Sequence, residues 1–476
     1  MRQRLVGWWC MDLVAVLRRA VGDDAVLTEA DRQASFVTDW TGRFWGTTPA
    51  VVLPSSTDEV VAVLNACRAA RAPWVPQGGN TGLVGGGVPV DGEVVVSTRR
   101  LRSMGPVDPT SLQITVGAGV TLAELDAHLE PMGLMYGIDF GARDSATIGG
   151  TIATNAGGTA VVLYGMTRHQ VVGIEAVLPN GDVVSRLGGL AKDNTGYDLA
   201  GLLCGSEGTL GIITAARLHV RNRPTERAAA AFSVATIADA LLLFGELRAT
   251  GGLEQCEIMR AVDIAALENA RALVGPAVWR TDDPWCILAE VVGPDAMMRL
   301  GAAVARVEER VVLASAVAPS EAVRRSWWAV REAHPELGRH FGEVLKLDVS
   351  VPLHALASFV DGLDEAIATA AGPTAAGARA DGAPRLVLFG HLGDANLHVN
   401  VGGDAALFPA IEDVVLARVL ALRGAVSAEH GIGRAKREWL VADRGAAAVG
   451  AMWAVKVALD PWGLANPNVV FARSSS

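Results

Sequence analysis

Two histidines in one short segment are the residues of this sequence best suited to hold a metal ion. Residues 393–396 separate two apolar stretches, so the segment is predicted to be a β-hairpin with its loop there. This register places His391 opposite His398, with Cβ atoms about 4.5–5.5 Å apart on one face. Asn400 shares the face of His398, because strand side chains repeat every two residues. The two imidazoles could chelate one ion, or they could be ordinary surface histidines of an exposed hairpin.

A second segment, Ser427–Gly433, places an acid beside a histidine. Glu429 and His430 lie in a short stretch that glycines close. Two histidines and one carboxylate suit a divalent ion that keeps an open position for substrate. Zinc or another divalent metal would fit, and the spacing does not choose between them.

Three glycine-rich segments indicate a phosphate-binding surface. They are Pro76–Gly87, which follows a predicted strand, Gly149–Gly158 and Gly205–Thr214. Consecutive glycines allow several backbone N–H groups to point at one anion. A Rossmann fingerprint would require a glycine loop that opens directly into a long helix, with an acid about 20 residues on, and neither is present. One such segment alone could be a tight loop, whereas three in one domain suggest a large phosphorylated ligand lying against bare backbone.

The elements around these segments change in character along the chain. Residues 48–222 alternate strand and helix signals, and Asn180–Gly181 supplies the turn of a predicted hairpin. After Pro224, strands alternate with alanine-rich helices, and two more helices are predicted at 410–422 and 434–459. The pattern predicts two or three domains that contain both helices and sheets.

Composition excludes several classes of function. The chain has 476 residues, of which 50% are hydrophobic and 19% charged, so it can bury large cores. Its net charge of -10 argues against a nucleic-acid partner and against an anionic membrane surface. Five cysteines occur singly, as is typical of a reducing compartment. We expect a cytoplasmic protein without stable membrane insertion, because the early apolar run is broken at Asp12 and none reaches about 18 residues. Residues 1–10 could be an extension upstream of the native start, added by a misassigned start codon.

The glycine segments resemble those of the FAD-binding domain of the vanillyl-alcohol oxidase / p-cresol methylhydroxylase superfamily. Lys192–Asp198 resembles a further block of its D-2-hydroxyacid dehydrogenase branch. This resemblance implies an α+β fold with a two-subdomain FAD-binding domain at 1–222, whose core is about 46–222. It also implies an α+β substrate or cap domain with an antiparallel sheet at 223–405. A C-terminal helical segment at 406–476 would complete the active site.

The same resemblance implies non-covalent FAD, since the first glycine segment contains no histidine that could tether the flavin. In that family the first segment holds the pyrophosphate, and the other two line the adenosine and isoalloxazine portions. The residues expected to bind FAD are Pro76, Gln77, Gly78, Gly79, Asn80, Thr81, Gly82, Gly149, Gly150, Thr154, Asn155, Gly157, Glu207, Gly208, Ile212 and Asn466.

The C-terminal half resembles the flavin- and metal-dependent D-2-hydroxyglutarate dehydrogenases. The resemblance implies that His391, His398 and Glu429 are the metal ligands and that His430 is the general base. Zinc is the metal expected. The hydroxyl and carboxylate of a 2-hydroxy acid would chelate the ion, and its C2 hydrogen would leave as hydride to flavin N5.

Substrate selection is implied to rest on Arg331, Lys346 and Asn400, with Arg331 clamping a carboxylate. Pro335 stands where the family often has a serine or threonine, so one hydrogen-bond donor is missing, and His334 could replace it. D-2-hydroxyglutarate or D-malate is the expected substrate. D-lactate or glycolate dehydrogenase and a non-catalytic FAD-binding subunit are the alternatives. An electron-transfer flavoprotein or quinone is the expected electron acceptor, and a homodimer is a further expectation.

Overall fold

The computed structural model describes residues 13–271, 275–279, 284–307, 311–372 and 383–472. They form two compact units. One unit takes the described residues up to Gly158, Gly165–Arg223 and those from Glu429 onward, and the other takes Thr159–Tyr164 and Pro224–Ala428. The segment 406–476, expected to be a single helical part, is therefore divided between the units. Residues 1–10, and most of the low-complexity stretch 371–384, lie outside the described residues.

Two four-stranded sheets and one strand pair form the framework of the first unit. The strands are β1 (Val26–Leu27), β2 (Val51–Val52), β3 (Trp74–Gln77), β4 (Val94–Ser97), β5 (Gln113–Gly117), β6 (Leu134–Met135), β7 (Val171–Val177), β8 (Val183–Ser185), β9 (Ile212–His219) and β10 (Arg221–Asn222). The first sheet has the order β1-β2-β4-β3, in which β4 runs parallel to both neighbours. The second has the antiparallel order β5-β9-β7-β8, and β10 pairs with β6.

Several helices of the first unit begin at a polar N-cap and pack on one large core. They are 13–21, Ala30–Gln33, Thr57–Ala69, Leu122–Leu129, Ile148–Thr154, Thr167–Gln170, Leu199–Leu203, Leu440–Arg444 and Ala446–Leu459. Thr121 and Glu124 form a reciprocal capping box, which satisfies two N–H groups at the start of Leu122–Leu129. Leu125 and Ile152 lie in the continuous apolar cluster that these helices share with the sheets.

A seven-stranded antiparallel sheet forms the second unit. Its strands are β11 (Arg227–Val234), β12 (Leu253–Arg260), β13 (Trp285–Val292), β14 (Val312–Val317), β15 (Glu343–Ser350), β16 (Arg385–His391) and β17 (Asn396–Gly403). Their order in the sheet is β14-β11-β13-β12-β16-β17-β15, and every neighbouring pair is antiparallel. The prediction of an α+β fold with an antiparallel sheet is confirmed.

One long helix covers the part of this sheet that concerns function. The helices of the second unit are Val161–Tyr164, Ile237–Arg248, Ala261–Arg271, Ala296–Val307, Glu321–Leu337, Leu356–Val360, Leu363–Ala371 and Phe408–Ala421. Ser320 caps Glu321–Leu337 by accepting a hydrogen bond from Val323 N–H. Trp328 and Val330, on its buried face, pack in one apolar cluster with Phe389 of β16. None of the helices in the described part of the chain is both long enough and apolar enough to cross a membrane.

The predicted loop of the histidine hairpin is wrong by one residue. Strands β16 and β17 pair His391 with Asn396 and Phe389 with His398, so the loop is 392–395 rather than 393–396. The pairing differs from the predicted register by two residues, and an even shift leaves every side chain on its original face. His391 and His398 therefore share a face as diagonal neighbours instead of lying directly opposite each other.

Candidate functional site

The first glycine segment packs closely against the residues that immediately precede the second. A Cβ atom on Gly78 would overlap the Thr147 hydroxyl, and one on Gly79 would overlap the backbone carbonyl of Ser145. Side chains larger than hydrogen would force these segments apart. The glycines are required here by close approach of two backbones.

The third glycine segment is hydrogen-bonded to the second. Gly205 N–H donates to Ile152 O at 2.9 Å, and Glu207 N–H donates to Ala153 O at 2.8 Å. Gly208 has a positive φ of 71°, and a Cβ there would overlap the Pro76 ring of the first segment. The three segments that the sequence singled out therefore meet at one place.

Asn466 joins two of these segments from the C-terminal end of the chain. Its Nδ2 donates to Gly86 O at 2.9 Å and to Glu207 O at 2.7 Å. Its buried Oδ1 has no hydrogen-bond partner among the described residues, and the same is true of Gln77 Oε1. These two acceptors could be satisfied by donors of a bound ligand.

Gln77 and Asn80 hold the first segment in its curved shape. Gln77 Nε2 donates to the carbonyls of Phe36 and Gly87, both at 2.8 Å. Asn80, at a φ of 57°, donates from Nδ2 to the carbonyls of Ser35 and Thr38 at 3.2 and 2.9 Å. The following residues, Thr81 and Gly82, are partly or fully exposed, and no atom lies within 4 Å of the Cβ position of Gly82. Backbone is therefore accessible where the resemblance predicts pyrophosphate.

The second segment contains a short helix, Ile148–Thr154, whose polar side chains serve its own backbone. Thr147 accepts from Gly150 N–H, and Thr154 Oγ1 donates to Gly150 O at 3.0 Å. Asn155 ends the helix at a φ of 50°, and its Oδ1 accepts from Arg168 N–H at 2.9 Å. Two further predicted FAD residues are also buried. A Cβ atom on Gly149 would overlap Ala118, and Ile212 lies at the start of β9.

The segment that carries Glu429 and His430 is held against the glycine segments by backbone hydrogen bonds. Buried Glu207 accepts from Ile432 N–H at 2.8 Å and from Gly433 N–H at 2.7 Å. Burial raises the pKa of Glu207 to about 7, although both N–H groups and the charge of Lys436 oppose the rise. Glu429 Oε1 accepts from Gly158 N–H at 3.2 Å.

In the second unit, a row of polar side chains crosses one face of four adjacent strands. Glu257 of β12 pairs with His391 of β16, and Asp348 of β15 pairs with His398 of β17. Since His391 and His398 share a face, all four side chains lie on it. Asn400 lies on the same face, two residues from His398.

The two histidines of this row face each other through their ring nitrogens. His391 Nε2 and His398 Nε2 are 3.4 Å apart. Two nitrogen ligands about 2.0–2.1 Å from a tetrahedral zinc ion are themselves separated by about 3.3–3.4 Å. His391 Nδ1 lies 2.7 Å from Glu257 Oε1, and the carboxylate can only accept, so this nitrogen carries the proton. The His391 Nε2 lone pair is therefore directed at His398, and the donor set fits a divalent ion.

Glu257 and Asp348 are site residues that the sequence reasoning missed. Both side chains are fully buried. Asp348 Oδ1 is 4.0 Å from His398 Nδ1, and its Oδ2 accepts from Ala428 N–H at 3.1 Å. The sequence signal is weak, because each acid lies in a strand of which only half of the residues are apolar. Burying an acid is costly unless it is paired.

Arg331 is buried, and its guanidinium pairs with Glu257. Its Nε and Nη2 lie 2.7 and 2.6 Å from Glu257 Oε2, and the guanidinium carbon lies 4.7 Å from the centre of the Phe389 ring. The pKa of Glu257 lies below its ordinary value, because Arg331 and His391 together outweigh the opposing effect of burial. Arg331 is thus brought to the histidine pair through a carboxylate, and its contact with a substrate stays a prediction.

Lys346 and Asn400 are opposite each other on β15 and β17. Lys346 Nζ lies 3.6 Å from Glu336 Oε1, and burial lowers the pKa of Lys346 although Glu336 opposes the change. Asn400 is buried. Lys346 and Asn400 are both predicted to bind substrate. Asn400 lies on β17, the strand of His398, and Lys346 lies on the neighbouring β15.

His334 is fully buried and lies next to Pro335 within the helix Glu321–Leu337. Its Nδ1 is 2.9 Å from Val330 O, so Nδ1 carries the proton of the neutral ring. Burial, together with the charge of Arg331, lowers the pKa of His334 to about 3. Nε2 is consequently an acceptor, which means that His334 does not supply the donor absent at Pro335.

Comparisons with known proteins identify the relatives of this chain. An FAD binding domain family matches residues 48–186, and the C-terminal domain of FAD linked oxidases matches residues 223–470. The D-2-hydroxyglutarate dehydrogenase of Xanthomonas citri pv. viticola is 33% identical, over 96% of this chain and 96% of the relative. The mitochondrial D-2-hydroxyglutarate dehydrogenase of Bos taurus is 34% identical, over 96% of this chain and 82% of the relative.

Solved structures show the same fold at low sequence identity. The structure of p-cresol methylhydroxylase with substrate bound aligns with a TM-score of 0.75 at 16% identity, over 97% of this chain and 96% of that one. An alkyldihydroxyacetonephosphate synthase aligns with a TM-score of 0.74 at 17% identity, over 96% and 84% of the two chains. The fold and the glycine segments define an FAD-binding oxidoreductase.

The chain belongs to the family of FAD-linked oxidases that includes the D-2-hydroxyglutarate dehydrogenases. It is accordingly an FAD-dependent hydroxyacid dehydrogenase. The resemblance stated from the sequence is confirmed.

Proposed function

We propose that the enzyme oxidises D-2-hydroxyglutarate or D-malate to the 2-oxo acid with the help of a divalent metal ion. We propose Zn²⁺ as that ion. The observation that carries the metal is the 3.4 Å separation of the His391 and His398 Nε2 atoms, with Glu257 fixing the His391 proton on the other nitrogen. The names and near-complete coverage of the relatives support the substrate class.

The residues of the proposed site have separate tasks. FAD, when bound, supplies the acceptor for the hydride that leaves C2 of the substrate. His391 and His398 would hold the ion, the resemblance adds Glu429 as a third ligand, and a metal-held hydroxyl loses its proton more easily. His430 would take that proton. Lys346, close to Asn400 in the strand register, would bind a carboxylate.

A D-lactate or glycolate dehydrogenase is the second candidate, and Pro335 favours it. Pro335 offers neither a hydroxyl nor a backbone N–H. The neighbouring His334 has its ring proton on Nδ1, which contacts Val330 O, so its Nε2 accepts a hydrogen bond and does not donate one. A site with fewer donors would bind a second carboxylate less tightly. A non-catalytic flavin subunit is disfavoured, because it would be expected to lose the histidines and acids that this chain retains.

A substrate screen tests the choice. Purified protein is mixed anaerobically with each acid, and loss of flavin absorbance gives the rate of reduction. We expect D-2-hydroxyglutarate or D-malate to have the highest kcat/KM. Much faster reduction by D-lactate or glycolate would select the second candidate, and no reduction by any 2-hydroxy acid would refute both.

Metal dependence and the electron acceptor need separate measurements. We expect about one equivalent of zinc per chain after dialysis, and a fully active protein without metal would refute the metal site. We propose that the reduced flavin passes electrons to an electron-transfer flavoprotein or a quinone. Comparison of turnover with each acceptor distinguishes them. A cytoplasmic location and a homodimer remain part of the proposal, and cell fractionation and light scattering test them.

A further inference from the structure

A buried carboxylate connects the metal-binding and substrate-binding sides of the proposed site. We propose that Glu257 is a positioning residue that fixes the ring of His391 and the guanidinium of Arg331 at the same time. The inference rests on the proposed function, because it assigns the histidine pair to a metal ion. No motif in the sequence indicates a role for Glu257.

The first half of the argument concerns the imidazole. Glu257 Oε1 lies 2.7 Å from His391 Nδ1, and that contact fixes both the tautomer and the rotation of the ring. With the proton on Nδ1, the Nε2 lone pair is directed at His398 Nε2, 3.4 Å away. A His391 ring that lost this acceptor could rotate or place its proton on Nε2, and either change removes a metal ligand.

The second half concerns the arginine. Both contacts of Arg331 are to the other carboxylate oxygen, Oε2, so the two partners of Glu257 do not compete for one atom. The Arg331 side chain is 7% exposed and that of Glu257 is 0% exposed, so the pair is shielded from water. A change of charge at Glu257 would therefore leave a buried guanidinium unpaired. Phe389 packs on the guanidinium and limits its alternative positions.

The chain offers a matched control on the same strand. Glu254 of β12 is also buried, with a side chain 2% exposed. It pairs with Arg227 and accepts a hydrogen bond from the Tyr164 hydroxyl at 2.8 Å. A substitution there removes a buried carboxylate from an arginine that keeps Glu290 as a second partner, while the carboxylate that contacts His391 remains. Effects common to both variants report stability, and effects confined to Glu257 report positioning.

The experiment measures Zn²⁺ affinity of the FAD-loaded enzyme by competition with a chelator of known affinity. We expect Glu257→Gln to weaken Zn²⁺ binding by about 10–100-fold, the usual effect of losing a carboxylate behind a histidine ligand. Glu254→Gln should change it by less than about threefold, and both variants should keep their flavin absorbance. The Co²⁺-loaded protein provides a second readout, since its visible absorption bands should shift in Glu257→Gln and not in Glu254→Gln.

A double variant covers the case in which Glu257→Gln fails to fold. Glu257→Leu with Arg331→Met removes the unpaired charge and the acceptor of His391 together, and we expect it to fold, keep flavin and still bind Zn²⁺ weakly. Wild-type Zn²⁺ affinity in either folded variant would overturn the role of Glu257 and leave the proposed function intact. A wild-type protein that binds no Zn²⁺ would instead refute the metal-dependent function and this inference together.

Discussion

Glu207 predicts a specific dependence of stability on pH. Its carboxylate is buried in the third glycine segment and accepts the N–H groups of Ile432 and Gly433, and burial raises its pKa from 4.5 to about 7. A raised carboxyl pKa means that the folded state holds the proton more tightly than the unfolded state. The associated stability is complete below about pH 4.5 and is lost as pH rises to about 7.

The magnitude follows from the size of the pKa rise. A rise in the pKa of Glu207 from 4.5 to about 7 corresponds to roughly 3 kcal/mol in the free energy of unfolding. Glu207→Gln keeps the size of the side chain and cannot ionise, but its Nε2 cannot accept one of the two N–H groups. This loss lowers the free energy of unfolding of the variant by the same amount at every pH. Relative to the wild type, the variant should therefore gain up to about 3 kcal/mol between pH 5 and pH 8, because only the wild type ionises.

The assay is denaturant unfolding followed by circular dichroism at pH values between 5 and 8. Glu365→Gln, at an exposed position of the helix Leu363–Ala371, is the control and should run parallel to the wild type. Parallel curves for the wild type and Glu207→Gln would refute the assignment of this pH dependence to Glu207.

Three further substitutions test the site and its supports. Gly79→Ala should lower FAD content markedly, because its Cβ would overlap a backbone carbonyl, whereas Gly245→Ala, with open space around it, should leave the absorbance ratio of flavin to protein unchanged. His430→Ala should reduce kcat by about 10²–10⁴-fold with flavin retained, and unaltered turnover would exclude it as general base. Lys456→Met should destabilise the protein by about 3–5 kcal/mol in denaturant unfolding, since it leaves the buried carboxylate of Asp460 unpaired; a loss below 1 kcal/mol would show that the pair is dispensable.

Much of the local structure could be predicted because the signals are local. The helix Leu122–Leu129 has the bounds that its apolar pattern indicates, and the Asn180–Gly181 hairpin forms between β7 and β8. Longer predicted helices are interrupted where glycine adopts a positive φ. The predicted helix 434–459 is broken at Gly445, where φ is 80°. The helix Ile148–Thr154 was missed because its two glycines disfavour helix, while its cap and packing favour it.

The site was predicted in its residue types more completely than in its connections. The histidine pair and the three glycine segments are visible in sequence, because each is a compact motif. Glu257 was not found, since its contact with His391 depends on β12 pairing with β16, 134 residues apart in the chain. Arg331 was identified as a residue that clamps a substrate carboxylate, but its pairing with Glu257 was not foreseen. Pairings set by sheet order leave no spacing pattern to detect.

The position of Asn466 has a consequence for when the protein can acquire its cofactor. During synthesis the first two glycine segments leave the ribosome hundreds of residues before Asn466, whose side chain ties Gly86 to Glu207. The predicted flavin surface therefore cannot be complete before residue 466 has been made and has reached the glycine segments. Flavin should be held firmly only after that step, and not by a nascent chain that carries the glycine segments alone.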